Sequence, residues 1–279
     1  MSPVFTILLP TYKRRYLQEC INSVLAQGYP HWELVIVNDA SPEDIEGVVG
    51  QYKDPRIRYY RNTHNFGAER LVEQWNYCLS LAKGDYVICM GDDDRLRPCC
   101  LETYAKLIER YPDVEILHGQ TDIIDEAGKV SRHTTPRPEK ESAMSLFYHR
   151  TTIYHHQFIG DFCYQRDALQ ARGGYYNVPY AWGSDDISAL QAAVKNGIAN
   201  TQEVVFEYRD NNGSITRHPH ITGKIHAILL CARWQRDFLR TAHADETDEV
   251  YRKQLRRGLV KSTIKKIYYV LNNAVRKRS

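Results

Sequence analysis

Short β-branched apolar runs alternate with stretches that place apolar residues at helical spacing over the first hundred or so positions. That alternation restricts the topology more than any other feature of this 279-residue chain. VFTILLP (4–10), ELVIVND (33–39), IRYYRN (57–62) and DYVICMG (85–91) read as strands. Between them, Arg15 to Gln27 carries Leu17, Ile21, Val24 and Leu25 on one helical face, and AERLVEQWNYCLSLAKG (68–84) reads as a helix stopped by Gly84. Pro98 starts another helix running to about Tyr111. Such alternation predicts βαβ units and an α/β fold: a mostly parallel central sheet flanked by helices. In such sheets ligands sit beyond the carboxyl ends of the strands. PTYKR, NDAS and GDDD stand at three of those ends.

The second half is less regular. EILHGQTDIID (115–125) reads as strands with DEAGK as a turn. The stretch 132–160 is rich in His, Thr and Pro, with a short helix near 139–148. DFCYQR (161–166) and VVFEYRD (204–210) read as strands, Ser184 to about Asn196 as a helix, and the pattern is helical from Ile221 onward. Net charge is +3, too small to argue for nucleic acid. Seven cysteines with no CxxC pair imply reduced thiols and a cytoplasmic setting. The N-terminal apolar run reads as a buried strand rather than a signal peptide, and no run is long enough to cross a bilayer.

Asp92, Asp93 and Asp94 follow an apolar strand directly. Adjacent carboxylates repel, so the cluster is either a solvated turn before a helix or a seat for a cation. Hard oxygen donors suit Mg²⁺ or Mn²⁺, and Mg²⁺ is held by one or two carboxylates together with substrate phosphates. Asp39 ends another strand. In NDASPEDI, Ser41 is the expected N-cap with Pro42 at the first helical position, which leaves Asp39 as a turn former or an acceptor for a ligand donor such as a base N–H. No GxGxxG follows a strand and no GxxxxGK[ST] occurs, so metal-bridged diphosphate recognition remains. In AWGSDDISAL (181–190), Ser184 could cap a helix, or Asp185 and Asp186 could present a general base beside Tyr180 and Trp182.

LLPTYKRRYLQECINSVLAQGYPHWELVIVNDASPED, NTHNFGAERLVEQWN, KGDYVICMGDDDRLRP and the weaker WGSDDISAL together resemble family 2 glycosyltransferases, which have the GT-A (Rossmann-like) fold. The likeness fades after about residue 210. It implies a GT-A catalytic domain over 1–218, with a nucleotide-sugar half (1–112) and an acceptor half (113–218), followed by a basic helical extension over 219–279. It further implies an enzyme that moves a sugar from a nucleotide-diphospho-sugar, usually UDP-linked, with inversion. The acceptor would be a saccharide or lipid-linked saccharide. By that likeness Pro10, Thr11 and Tyr12 line the base pocket, Asp39 takes a base N–H, and Arg70 reaches base or phosphate. Asp92 contacts the ribose, and Asp93, with Asp92, binds Mn²⁺ or Mg²⁺. Asp94 is structural or orients the sugar. The family's Asp-x-Asp metal motif has its first acid at the position of Gly91, which leaves the ligand set open. Asp185, with Asp186 as fallback, matches the catalytic base. Arg209 could pair with phosphate and His218 could add a metal ligand. His155 and His156 could border the acceptor pocket, while WQRDFL (234–239) reads as packing.

Residues 251–279 hold ten Lys and Arg and no acid, with Leu255, Leu259, Ile264, Ile267, Val270 and Leu271 forming an apolar face. Such a helix suits an anionic membrane surface, placing the enzyme at the inner face of the cell membrane, or packs on the catalytic domain with its basic face in water. No nucleic-acid module accompanies the charge. Competing readings are a sugar nucleotidyltransferase, which would want a glycine-rich phosphate loop that KRRY lacks, and a non-catalytic nucleotide-sugar-binding scaffold of the same fold.

Overall fold

A computed structural model describes residues 2–153, 155–211, 220–242 and 245–276, with side chains through Asn272. The first half runs β1 (Phe5–Thr11), α1 (Leu17–Leu25), β2 (Trp32–Asn38), α2 (Ile45–Val49), β3 (Ile57–Arg61), α3 (Leu71–Ser80), β4 (Tyr86–Cys89), β5 (Arg95–Leu96) and α4 (Cys100–Arg110). The second half runs β6 (Ile116–Ile124), β7 (Val130–His133), β8 (Lys140–Glu141), α5 (Ala143–Thr152), β9 (Phe162–Gln165), α6 (Arg166–Ala171), α7 (Ser184–Ala193), β10 (Ile198–Arg209), α8 (Ile221–Thr241) and α9 (Glu246–Arg276).

One sheet carries both halves, in the order β3-β2-β1-β4-β9-β6-β10-β5, with β7 on β6 and β8 on β10. The expected parallel arrangement holds for β1 to β4, and β6 and β10 also pair in parallel. Strand β9 enters antiparallel between β4 and β6 and joins the two halves.

Period-two alternation explains the layering. Ile7 and Leu9 of β1, Leu34 and Ile36 of β2 and Ile88 of β4 face α1, α2 and α4. Leu8, Val35, Val37, Val87 and Cys89 face the other way, into a cluster with α3, α5, α7 and the start of α9. Both faces are covered, so these strands read as continuous apolar runs. Trp234 packs on this second cluster and Phe238 is buried in it, in line with the packing role read for WQRDFL.

Several boundaries differ from the sequence reading. The cap of helix α2 lies three residues beyond the expected Ser41: Asp44 accepts from the Gly47 amide, while the Ser41 hydroxyl donates to the Tyr12 carbonyl. Gly183, at φ +99°, precedes α7, and Ser184 is its first residue rather than its cap. Helix α9 splits the apolar face read from the sequence. Leu255 and Val270 are buried and Leu259 packs inward, whereas Ile264 and Leu271 point outward with Val260 and Tyr268. No helix among the described residues is long and apolar enough to cross a membrane, and all seven cysteines are unbridged.

Gly84 pins the register between β1 and β4. Its amide donates to the Thr6 hydroxyl, and a Cβ there would lie 2.7 Å from the Val4 carbonyl oxygen and 2.8 Å from the Thr6 amide nitrogen. Gly84→Ala should therefore lower stability by about 1–3 kcal/mol, the usual cost of overpacking. Gly28→Ala, where nothing lies within 4 Å, should be nearly neutral. Urea midpoints of the two variants check this; equal midpoints would contradict the packing account.

Candidate active site

Parallel pairing brings the ends of β1, β2 and β4 to one edge. The Asp39 amide donates to the Thr11 carbonyl (2.9 Å), and the Met90 amide to the Leu8 carbonyl (3.0 Å). Asp92 Oδ2 accepts from Thr11 Oγ1 (3.0 Å) and from the amides of Tyr12 and Lys13 (both 2.8 Å). It thus fastens the segment leaving β1 to the turn leaving β4. Asp39 Oδ1 accepts from Asn62 Nδ2 (2.8 Å) and the Phe66 amide (3.0 Å), which holds the loop after β3 over the cavity. Asp93 Oδ2 accepts from Asn211 Nδ2 (2.6 Å), and Asp94 Oδ1 from the Arg209 amide (2.9 Å). Gly91 makes room for this: a Cβ there would meet Asp93 Oδ1 at 2.7 Å and Asp94 Oδ2 at 3.0 Å.

Burial and the nearby Asp93 charge push the Asp92 carboxyl up to about 6, and the same two causes raise Asp94 well above the ordinary range. Full ionisation of the cluster therefore wants added positive charge. Among the described residues no group of three or more His, Cys, Asp or Glu side chains is gathered to hold a metal ion by itself. The donor set fits a hard divalent ion held by one or two carboxylates, with substrate oxygens completing the shell.

Three sequence-read residues lie elsewhere. Arg209 is fully buried and does not line the cavity. Its guanidinium donates to the carbonyls of Asp93 (2.8 Å), Asp125 and Glu126, pairs with Glu19 at 2.8 Å and lies over the Tyr16 ring, so it props the acidic turn from beneath rather than meeting phosphate. Arg70 is outside the lining too; it pairs with Glu73 at 2.9 Å and lies over the Phe66 ring. His155 is buried against His149 instead of bordering the pocket, whereas His156 does line it. His218 lies outside the described residues.

At the other end of the same cavity stand Asp185 and Asp186, in the first turn of α7. The approach to them is strained: Tyr180 (φ 60°) and Ala181 (φ 53°) both occupy the left-handed region. Burial and the Asp186 charge push Asp185 up to about 7. For Asp186 burial also opposes ionisation, but Arg150, Lys266 and hydrogen bonds from Arg150 Nε (2.8 Å) and Gln157 Nε2 (2.7 Å) outweigh it and hold the carboxyl below its ordinary value. Two adjacent carboxyls are thus driven apart: one a fixed anion, the other able to exchange a proton near neutrality.

The cavity between these ends measures about 1290 Å³. Pro10, Thr11, Tyr12, Asp39, Asp92 and Asp93 line one side, and Trp182, Asp185 and Asp186 the other. Sequence reasoning missed Lys13, Arg150 and Gln157, and it read Lys265 and Lys266 only as part of a basic tail. Both lysines line the cavity, with Tyr268, Tyr269 and Asn272 of the same helix.

The sequence matches the family model described as Glycosyl transferase family 2 over residues 6–170. EpsE of Bacillus subtilis (strain 168), named as a glycosyltransferase, is 26% identical over 235 residues, 82% of this chain and 81% of that protein. WcaA of Escherichia coli (strain K12), named for colanic acid biosynthesis, is 37% identical over 106 residues, 37% of each chain. TuaG of B. subtilis (strain 168), named for teichuronic acid biosynthesis, is 34% identical over 104 residues, 36% of this chain and 40% of that protein. Among solved structures, S. aureus TarS 1–349 in complex with UDP-GlcNAc superposes with a TM-score of 0.69 at 16% identity, covering 97% of this chain and 72% of that one. The mannosyltransferase PcManGT from Pyrobaculum calidifontis, in complex with GDP-Man and Mn²⁺, gives 0.61 at 16% identity, covering 98% and 74%. These structures share the fold. With the strand-end acids, the carboxylate pair and the family match in place, the chain belongs to glycosyltransferase family 2 and is a glycosyltransferase of the GT-A fold.

Proposed function

We propose that this protein is a metal-dependent, inverting glycosyltransferase. It moves a sugar from a nucleotide-diphospho-sugar, UDP-linked, to a hydroxyl of a saccharide acceptor in polysaccharide or cell-envelope synthesis. The observation that carries this reading is the single cavity with Asp39, Asp92 and Asp93 on one side and Asp185 on the other. The named roles of WcaA and TuaG support the pathway, and the UDP-GlcNAc held by TarS supports the donor class.

Pro10, Thr11 and Tyr12 bound the base pocket, and Asp39 faces the base while holding the Asn62–Gly67 loop. Asp92 stands by the ribose, its Oδ2 committed to the segment leaving β1. Asp93, with Asp92, would hold Mn²⁺ or Mg²⁺, which when bound offsets charge on the departing nucleoside diphosphate. Asp185 takes the proton from the acceptor hydroxyl as that oxygen attacks the anomeric carbon. Asp186 stays ionised on Arg150 and Gln157, and its charge keeps the Asp185 carboxyl basic enough for the task. No covalent intermediate is required.

The outward residues of α9 support docking on an anionic membrane. Val260, Ile264, Tyr268 and Leu271 are 69, 62, 64 and 45% exposed at i, i+4, i+8 and i+11, flanked by Arg257 and Lys261. A protein docked there would meet a lipid-linked acceptor at the surface.

Asp185→Asn should lower kcat by about a hundred- to ten-thousandfold while leaving donor affinity unchanged. A UDP-sugar turnover assay checks this; a scaffold would turn over no donor in either form. Wild-type kcat/KM should rise with pH through an apparent pKa near 7, where Asp185 ionises, and a flat profile from pH 6 to 8 would contradict the assignment. The same shift has a stability cost. The folded pKa lies above the unfolded value, so the contribution is fully present below pH ~4 and is lost as pH rises through 7. Asp185→Asn should therefore be more stable than wild type at pH 8, read from denaturation midpoints. Vesicles containing phosphatidylglycerol should sediment the protein, less so at high salt and less for Val260→Asp/Ile264→Asp. Equal sedimentation with neutral vesicles would contradict the docking.

A further inference from the structure

The cation distribution around the cavity asks for a ligand that the donor does not supply. The acids at the strand ends, with their metal, account for a nucleoside diphosphate. At the carboxylate-pair end, Arg150 is paired with Asp186 at 2.8 Å. Lys265 and Lys266, on the rim made by α9, form no ion pair within 4.0 Å among the described residues, although Lys266 lies near enough to Asp186 to favour its ionised form. Two consecutive lysines on one helix line the cavity that also holds the acceptor base, neither in a direct ion pair among the described residues. Next to them Tyr268 and Tyr269 line the same rim while remaining 64 and 61% exposed, and Tyr268 continues outward into the apolar row of Ile264 and Val260. A cationic pair at the inner lip and an aromatic-apolar track leading out make an amphiphilic seat.

We propose that Lys265 and Lys266 form an anion subsite for the acceptor, which carries a phosphate ester linked to the sugar that receives the transferred residue. The inference rests on the glycosyltransferase reading above and adds the acceptor's chemical class and the residues that select it. Ammonium groups bind phosphate oxygens through charge-assisted hydrogen bonds, each three-donor head adapting to a flexible phosphate. The seat suits the phosphate of a lipid-linked sugar, whose chain would follow Tyr268 and Ile264, and equally the phosphate of a soluble sugar ester.

The test titrates the full chain, with UDP and Mn²⁺ present at saturation to fill the donor site, using farnesyl diphosphate, glucose 1-phosphate, inorganic diphosphate and farnesol. Calorimetry or ligand-observed NMR reads the binding. At least one organic phosphate should bind wild type and bind the Lys265→Gln/Lys266→Gln variant at least about tenfold more weakly, the loss of one hydrogen bond to a charged group. The Lys265→Arg/Lys266→Arg variant should retain binding, and UDP affinity should be the same in all three proteins. Preference for farnesyl diphosphate over glucose 1-phosphate supports a lipid-linked acceptor; comparable binding of both supports a soluble sugar phosphate. Equal binding by wild type and the glutamine variant, displacement of the probe by UDP, or no organic phosphate binding overturns the subsite. If UDP fails to bind wild type while lysine-dependent phosphate binding persists, the nucleotide-sugar reading fails and with it the acceptor role, leaving only anion binding at the two lysines.

Discussion

One carboxylate oxygen, Asp92 Oδ2, accepts hydrogen bonds from Thr11 Oγ1 and from the amides of Tyr12 and Lys13, and the site is built around that clasp. It joins the segment leaving β1 to the acidic turn leaving β4, so two neighbouring strand ends behave as one corner. Arg209, arriving from β10 at the far side of the sheet, completes the corner from below through the carbonyl of Asp93 and, by its own amide, the carboxylate of Asp94. The arrangement is costly. Three adjacent acids are packed against one another with Asp94 4% exposed, and burial together with mutual repulsion raises the pKa of two of them. A chain selected for stability alone would place neutral side chains there; clustered charge held by so many donors marks a place where function sets the composition.

The two ends of the cavity divide the electrostatic labour. At the strand ends, negative charge accumulates and calls for a cation. At α7, negative charge is sorted: Asp186 is fixed by Arg150 and Gln157, and Asp185 keeps a proton affinity matched to neutral pH. The rim from α9 carries positive charge and aromatic surface, so a helix outside the central sheet contributes to the wall where the acceptor would enter. Strain concentrates there as well, with Tyr180 and Ala181 held in the left-handed region just before the acids.

Strands β1, β2 and β4 were legible because each is buried on both faces and therefore reads as an apolar run, whereas β3, half-buried at the sheet edge, was legible from its β-rich IRYY. Local hydrogen bonding decided what was less legible. Ser41 has the composition of a cap, but its Oγ accepts from the Glu43 amide in a turn ahead of the helix while its hydroxyl donates to the Tyr12 carbonyl, and Asp44 caps α2 three residues later. The insertion of β9 between β4 and β6 is a non-local pairing to which no local pattern points. Arg209 stands in a polar segment at the end of a strand, where sequence alone does not say whether the guanidinium turns toward the cavity or away from it. It turns away, because backbone carbonyls and Glu19 offer it a complete set of partners. The six apolar residues of α9 do not share one face: Leu255 and Ile264 are nine positions apart. That is two and a half turns at 3.6 residues per turn, so they lie on opposite sides. Lys265 and Lys266 were visible as charge; that they meet the cavity depends on how Leu255, Leu259 and Val270 dock the helix.

The account turns on the acids at the strand ends gripping a divalent ion jointly with a pyrophosphate. Electron paramagnetic resonance of Mn²⁺, titrated into the protein with and without UDP, addresses this directly. The account predicts weak Mn²⁺ binding alone, clear tightening when UDP is present, and loss of that tightening in Asp93→Asn. Mn²⁺ binding that is indifferent to UDP, or tightening that survives in Asp93→Asn, would contradict it.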